Sequence, residues 1–242
     1  MTTRLIWTEL KLLARDPLTT IFTVMFPVTL MALLAASFGN DPDPDMGGVG
    51  GVDFYVPVYA AATIAVMGFL GVPTHLAAYR ELGVLRRFQA AGVSRRSILQ
   101  AQAVVMAIIV AVGATAMITL GFTVYDLSTP ASVPGVVVGF IAGTAAFAGL
   151  GVLLGSVMPT ARSAQGLGLL IFFGLFFIAG GGPPPVLLPD AINTFIGYTP
   201  MGPLVDAVRD PWHGAGWNVG ALLSLAVIAA ASGGLALLRR RS

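Results

Sequence analysis

The sequence predicts an all-α integral membrane protein of six transmembrane helices with both termini on the cytoplasmic side. Three observations predict it. Only 10% of the 242 residues are Asp, Glu, Lys or Arg and 56% are hydrophobic, against about 25% charged in a soluble domain, so most of the surface cannot face water. Six runs contain no Asp, Glu, Lys or Arg: Leu18–Phe38, Phe54–Ala78, Ile98–Phe122, Val133–Met158, Gln165–Gly181 and Gly216–Leu238. Each has the length, about 20 residues or somewhat more, that crosses a hydrocarbon core of about 30 Å. Finally, the basic residues are segregated to one side of the six runs. The fifth run is the shortest and the most interrupted by glycine, so its ends are the least sharply marked. Barrel strands would alternate over about ten residues, and these runs do not.

With six spans, the termini and the second and fourth loops share a side. That side holds Arg4, Lys11, Arg15, Arg80, Arg86, Arg87, Arg95, Arg96, Arg162, Arg239, Arg240 and Arg241, and the other side only Arg209. Positive charge marks the cytoplasmic face. Asp41, Asp43, Asp45, Asp53, Asp126, Asp190, Asp206 and Asp210 fall opposite, which agrees with the orientation without deciding it. The first apolar run begins at about Leu18, behind seventeen residues that include Glu9 and Asp16. It is longer than a signal-peptide core and is expected to be a retained anchor. The whole of 1–242 is expected to form one membrane domain.

Ahead of the first span, residues 1–16 predict a helix lying in the headgroup layer. At 100° per residue Arg4, Thr8, Lys11 and Arg15 line one face and Ile6, Trp7, Leu10 and Leu13 the other, with Trp7 at the flank. A basic face toward water and anionic lipid, with apolar residues beneath, is the pattern of an interfacial helix. Asp16-Pro17 breaks it from the first span, since a residue before proline is pushed out of the helical region. Pro27 and Pro73 predict kinks in the first and second spans. The external loop from Asn40 to Asp53 predicts a flexible connection with no role.

The loop 79–97, beginning "YRELGVLRRFQAAGVSRR", predicts a short amphipathic cytoplasmic helix. Leu82, Leu85 and Phe88 recur at i, i+3 and i+6, with Arg80 and Arg87 on another face. Gly92 and Ser94 follow as a helix stop and the N-cap of the next helix. A loop that only fixed topology would not need an apolar stripe, and such a stripe must be covered by protein or lipid. In the fourth run Gly139, Gly143, Gly149, Gly151 and Gly155 predict close helix packing, within the subunit or at a dimer face. Residues 182–215 are too rich in proline to span and too apolar for a solvated loop. Pro183, Pro184, Pro185, Pro189, Pro200 and Pro203 punctuate it, while Val186–Leu188, Ile192, Phe195, Ile196, Leu204 and Val205 call for burial. It predicts a pair of short re-entrant helices dipping into the outer leaflet, broken at Pro200 and Pro203.

Absences narrow the function. No cysteine excludes disulfides and thiol chemistry, and His75 and His213 are the only histidines. Lys11 is the only lysine and no phosphate-binding loop occurs, so no nucleotide is expected on this chain. Ion-coupled carriers keep ionisable groups inside the membrane at about 2.5–3.5 kcal/mol each, and no span contains Asp, Glu, Lys or Arg. His75, near the cytoplasmic end of the second span, reads as a satisfied interfacial histidine. A net charge of +2 does not make a nucleic-acid surface. A chain without an energy source, exposing a striped cytoplasmic helix, is expected to be driven by a partner.

Three stretches in order then carry a resemblance: "LKLLARDPLT" leading into "MFPV", "YRELGVLRRFQAAGVSRRSIL", and "GGGPPPVLLPDAINTFIGYTPMGPLVDAVR". Together they resemble the membrane subunits of type-2 ABC exporters, which include the daunorubicin-resistance-like permeases. The resemblance implies that Glu81, Gly83, Leu85, Arg86 and Arg87 meet a separate ATPase subunit, with Arg80 and Leu82 adjacent and the N-terminal helix against the same interface. It implies ATP and magnesium on that partner, two permeases (identical or sister) in the cell membrane, and export between them along the first, second and fifth spans. The run "GGGPPP" departs from relatives with a single proline. Apolar walls that include Phe172, Phe173, Phe176 and Phe177 suit an amphipathic drug or lipid, consistent with a role in antibiotic resistance, and the same phenylalanines equally suit ordinary lipid-facing or packing positions. The alternatives are a self-contained carrier or channel and a membrane scaffold that transports nothing.

Overall fold

Apolar runs in lipid have no partner for their backbone groups except themselves, which leaves the helix as the economical solution. The computed structural model describes residues 6, 7, 11, 17–90, 92 and 94–238, and among these no strand forms. The helices are α1 (Pro17–Phe38), α2 (Gly51–Glu81), α3 (Val84–Ala90), α4 (Arg95–Val124), α5 (Val133–Val157), α6 (Ala161–Gly181), α7 (Asp190–Gly197), α8 (Met201–Trp212) and α9 (Val219–Leu238). Among the described residues five helices, α2, α4, α5, α6 and α9, are long and apolar enough to cross a membrane. The 22-residue α1 adds an apolar stretch at Met25–Phe38. It begins at Pro17, where the missing N–H of proline costs nothing.

α2 is the axis of the bundle. Of its apolar window 94% is buried, against 22% for α9. α1, α4, α5, α6 and α8 pack around α2, and α9 rests mainly on α5. The glycines of α5 are divided among three neighbours. A Cβ on Gly151 would lie 2.7 Å from the Gly68 carbonyl oxygen, and one on Gly155 3.0 Å from Pro73 and Leu76, both on α2. Gly139 and Gly143 meet Ala207 and Leu204 of α8, and Gly149 meets Ser232 of α9. The small-residue pattern of the fourth run therefore serves packing within the subunit.

Pro73 is accommodated by a wide, five-residue π-helical turn at Met67–Gly71. Proline at position 73 can neither donate to the Phe69 carbonyl nor approach it closely, and a widened turn removes the clash. The Phe69 carbonyl oxygen instead faces Gly168 of α6, where a Cβ would collide with it. Gly168 thus lets α6 settle against the irregular backbone of α2. α6 starts at Ala161, earlier than the predicted Gln165, because Thr160 and Ser163 form a reciprocal capping box that satisfies the first free N–H groups.

The chain sorts its polar residues to two ends. At the acidic end, the Asp53 carboxylate accepts from both the N–H and the hydroxyl of Ser128, each at 2.8 Å. Its own N–H donates to the Asn40 side chain at 3.1 Å, and its carbonyl lies 2.9 Å from His213 Nε2. The loop from Asn40 to Asp53, expected to be plain and flexible, is instead closed by an Asp43–Val49 bridge, with Met46 buried.

The segment 182–215 contains the two predicted short helices, α7 and α8, with one correction. Pro200 is the N-cap of α8, but Pro203 lies within its first turn and breaks nothing. First-turn N–H groups have no intrahelical acceptor, so proline is tolerated there. Leu204 and Val205 are buried as expected, whereas Val186, Leu187 and Phe195 are exposed.

Candidate functional site at the basic end

Where α2 emerges at the basic end, its last residues divide into two groups. Tyr79 is buried and meets the His75 ring at 6.4 Å and the Phe88 ring at 6.2 Å, both edge-on. The contact with Phe88 holds α3 against the end of α2. Gly83 has φ +69, the left-handed conformation that only glycine adopts without strain. The chain reverses there, and α3 begins at Val84. The predicted stripe is therefore split: Leu82 belongs to the end of α2, while Leu85 and Phe88 are half-buried on α3. Leu82 is 69% exposed, and Arg86 and Arg87 are exposed beside it. Gly92, at φ +76, and Ser94, whose hydroxyl accepts from Ser97 N–H at 3.1 Å, stop α3 and start α4 as predicted.

Arg80 and Glu81 turn the other way. Arg80 Nη1 donates to the Gly155 carbonyl at 2.5 Å and lies 3.4 Å from that of Met158. Glu81 Oε2 accepts from the Ala161 N–H at 3.0 Å. Both side chains span to the short turn that joins α5 to α6.

Of the predicted interfacial helix, Arg4 and Arg15 lie outside the described residues. Trp7 is exposed, with Lys11 Nζ 5.4 Å from its ring centroid, a cation–π distance. Ile6 packs on the core. Among the prolines, Pro183, Pro184 and Pro185 follow a helix end made by Gly180, at φ +96. Pro189 caps α7, where the Asn193 amide donates to the Pro185 carbonyl at 2.9 Å.

Sequence reasoning missed a pair of tyrosines at the far end of α2. Tyr59 donates to the Gly181 carbonyl at 2.7 Å and Tyr55 to that of Gly182 at 3.0 Å. These carbonyls end α6 and are followed by prolines that have no N–H to offer. The partners of Tyr55 and Tyr59 lie 127 and 122 residues away in sequence, so the i, i+4 spacing of the tyrosines was the one local signal and it named no partner. They also line an apolar cavity of about 360 Å³ between α1, α2 and the end of α6, together with Leu30, Leu34 and Phe177. No group of His, Asp or Glu that could hold a metal occurs among the described residues.

Long apolar helices around one buried helix define a multi-pass membrane protein. Residues 2–211 match the family model described as ABC-2 type transporter. The chain belongs to that family and is the transmembrane component of an ABC-type transporter, a role that implies partnership with an ABC ATPase subunit. Comparison with curated proteins returns no match.

Proposed function

We propose that this chain is the permease of an ATP-driven exporter in the cell membrane, with six spans, cytoplasmic termini and a separate ATPase that binds the ATP and magnesium. α1 is the sixth span in this reading, and the basic end faces the cytoplasm by the positive-inside rule. The observation that carries it is the exposed apolar and basic surface of Leu82, Arg86 and Arg87 at the end of the most buried helix. Force applied at that surface acts on the axis of the bundle, and ATPase closure can tilt the attached spans. α7 and α8 dip into the outer leaflet, where lipid covers Val186, Leu187 and Phe195.

Two copies, or this chain and a sister, enclose the path. The cavity beside Tyr55 and Tyr59 supports an amphipathic drug or lipid-like substrate of the kind handled by daunorubicin-resistance-like permeases, because its walls are mostly apolar, with Asp43, Asp45 and the two tyrosines as the polar side chains of its lining. Docking is tested by co-purifying the permease with its ATPase. Leu82→Asp changes an exposed side chain and Gly83→Pro blocks the positive φ; both are expected to abolish co-purification while membrane levels stay normal. An undiminished complex would overturn the docking surface.

A further inference from the structure

The turn between α5 and α6 is only Met158-Pro159-Thr160. It therefore places the carbonyl end of one helix next to the N–H end of another. Helix ends leave such groups unpaired, and they carry partial charge, negative at the C-terminus and positive at the N-terminus. The dipeptide Arg80-Glu81 matches both. The cation takes carbonyls at the end of α5 and the anion takes the first N–H of α6. Two N–H groups beside it are engaged by the capping box: Ser163 N–H donates to Thr160 Oγ1 at 3.1 Å and Thr160 N–H to Ser163 Oγ at 3.2 Å. Glu81 takes the Ala161 N–H, a donor that the capping box does not reach.

We propose that Arg80 and Glu81 are positioning residues rather than ATPase contacts: they lock the α5–α6 turn to the end of α2, so that one stroke on α3 moves α2, α5 and α6 together. The inference rests on the ATPase-driven reading above. It follows from three features of the site. Arg80 Nη1 and Glu81 Oε2 already reach across to the α5–α6 turn, at three separate contacts. Leu82, Arg86 and Arg87 are exposed at the same end and supply the surface for a partner. Finally, α6 is gripped by α2 at both ends, by Glu81 at its start and by Tyr55 and Tyr59 at its finish, so a displacement of the basic end is delivered along α6 to the cavity at the acidic end.

The chain has no native cysteine, so spin labels at Ala90→Cys on α3 and Arg162→Cys on α6, both exposed positions, report the relative position of the two elements without background. The permease is reconstituted in nanodiscs with its ATPase, and the label distance is measured by dipolar EPR without nucleotide and after trapping with ADP and vanadate. The expected result is one narrow distance that is unchanged by trapping. In the Arg80→Ala, Glu81→Ala double variant the narrow distance is lost on trapping, while the ATPase still co-purifies in full amount. Arg80→Lys with Glu81→Gln, which keeps a cation and an acceptor, restores the narrow distance.

A wild-type distance that shifts on trapping overturns the lock, and so does a double-alanine variant that stays narrow. Loss of ATPase co-purification in that variant makes the pair docking residues and overturns the positioning role. If the unmutated permease binds no ATPase, the docking reading fails instead. The lock is then decided in the isolated permease, where the double variant must broaden the distance and the conservative pair must not.

Discussion

The two ends of α2 are fastened by opposite chemistries. At the acidic end neutral hydroxyls of Tyr55 and Tyr59 bind backbone carbonyls within an aromatic cluster, where Tyr59 meets Phe176 edge-on at 5.0 Å and Phe176 stacks on Phe172 at 5.2 Å. At the basic end the charged Arg80 and Glu81 bind helix termini while remaining exposed. The difference lies in what replaces each bond when it breaks. Water reaches Arg80 and Glu81, so their bonds trade against hydration and are worth about 0.3–1 kcal/mol at such sites. Water does not readily reach the Gly181 carbonyl, and leaving it unpaired costs about 1–3 kcal/mol. Bond for bond the fastening at the acidic end is the stronger, while the one at the basic end is weaker per bond and draws on three contacts instead. Both fastenings grip the same helix, α6.

The largest expected effect comes from breaking what the two ends share, the seat of α6 on the middle of α2. In Gly168→Leu the new side chain meets the Phe69 carbonyl, which is backbone that cannot swing away. Overpacking of this kind costs about 1–3 kcal/mol or more, and both fastenings depend on the fit. Size-exclusion chromatography of the solubilised protein should show loss of the monodisperse peak. Gly166 and Gly174 lie on the same helix with nothing within 4 Å of a Cβ. Gly166→Ala and Gly174→Ala should leave the peak intact and raise the unfolding temperature, since alanine in a helix gains up to about 1 kcal/mol.

The contrast between the ends is sharpened by removing one hydroxyl. Tyr59→Phe keeps the ring contacts and orphans the Gly181 carbonyl, an expected loss of about 1–3 kcal/mol. Thermal unfolding in detergent, followed by tryptophan fluorescence, should show a clear drop. Tyr55→Phe should cost less, because its bond is partly solvated and longer at 3.0 Å. If Tyr59→Phe unfolds no earlier than Glu81→Gln, the two ends do not differ in the way described.

Much of this arrangement was legible before any coordinates. Charge-free runs and segregated arginines mark the apolar helices, because the bilayer imposes length and polarity limits that few other environments impose. Gly92 and Ser94 announced their stop and cap because capping chemistry is local. The roles of Arg80 and Glu81 were not legible, since their partners lie 75 or more residues away in sequence. An exposed charge beside an apolar stripe looks the same whether it meets a partner protein or a helix end. Pro203 misled for a related reason: whether proline breaks a helix depends on how far into it the residue lies. Gly168 carried no signal among 30 glycines; only the displaced carbonyl of Phe69 makes it irreplaceable.

The smallest effect tests whether charge at the acidic end is as easily exchanged as at the basic end. Asp206 lies on α8, and burial raises its carboxyl above the ordinary value of 3.8, opposed by Arg209 and reinforced by Asp210. Arg209 Nη2 sits 2.7 Å from the carboxylate, whose side chain is 37% exposed. A raised value in the folded state means that folding favours the neutral acid. That contribution to stability is complete below the ordinary carboxylate value and is lost as pH rises through the raised one. Asp206→Asn supplies a permanently neutral side chain of the same shape. Relative to the unmutated protein, its unfolding temperature should therefore improve as pH climbs out of the carboxylate range and should converge at acid pH. Parallel curves across that range would mean that Arg209 fully compensates the buried charge. The acidic end would then resemble the basic one, with the tyrosine bonds alone setting the two apart.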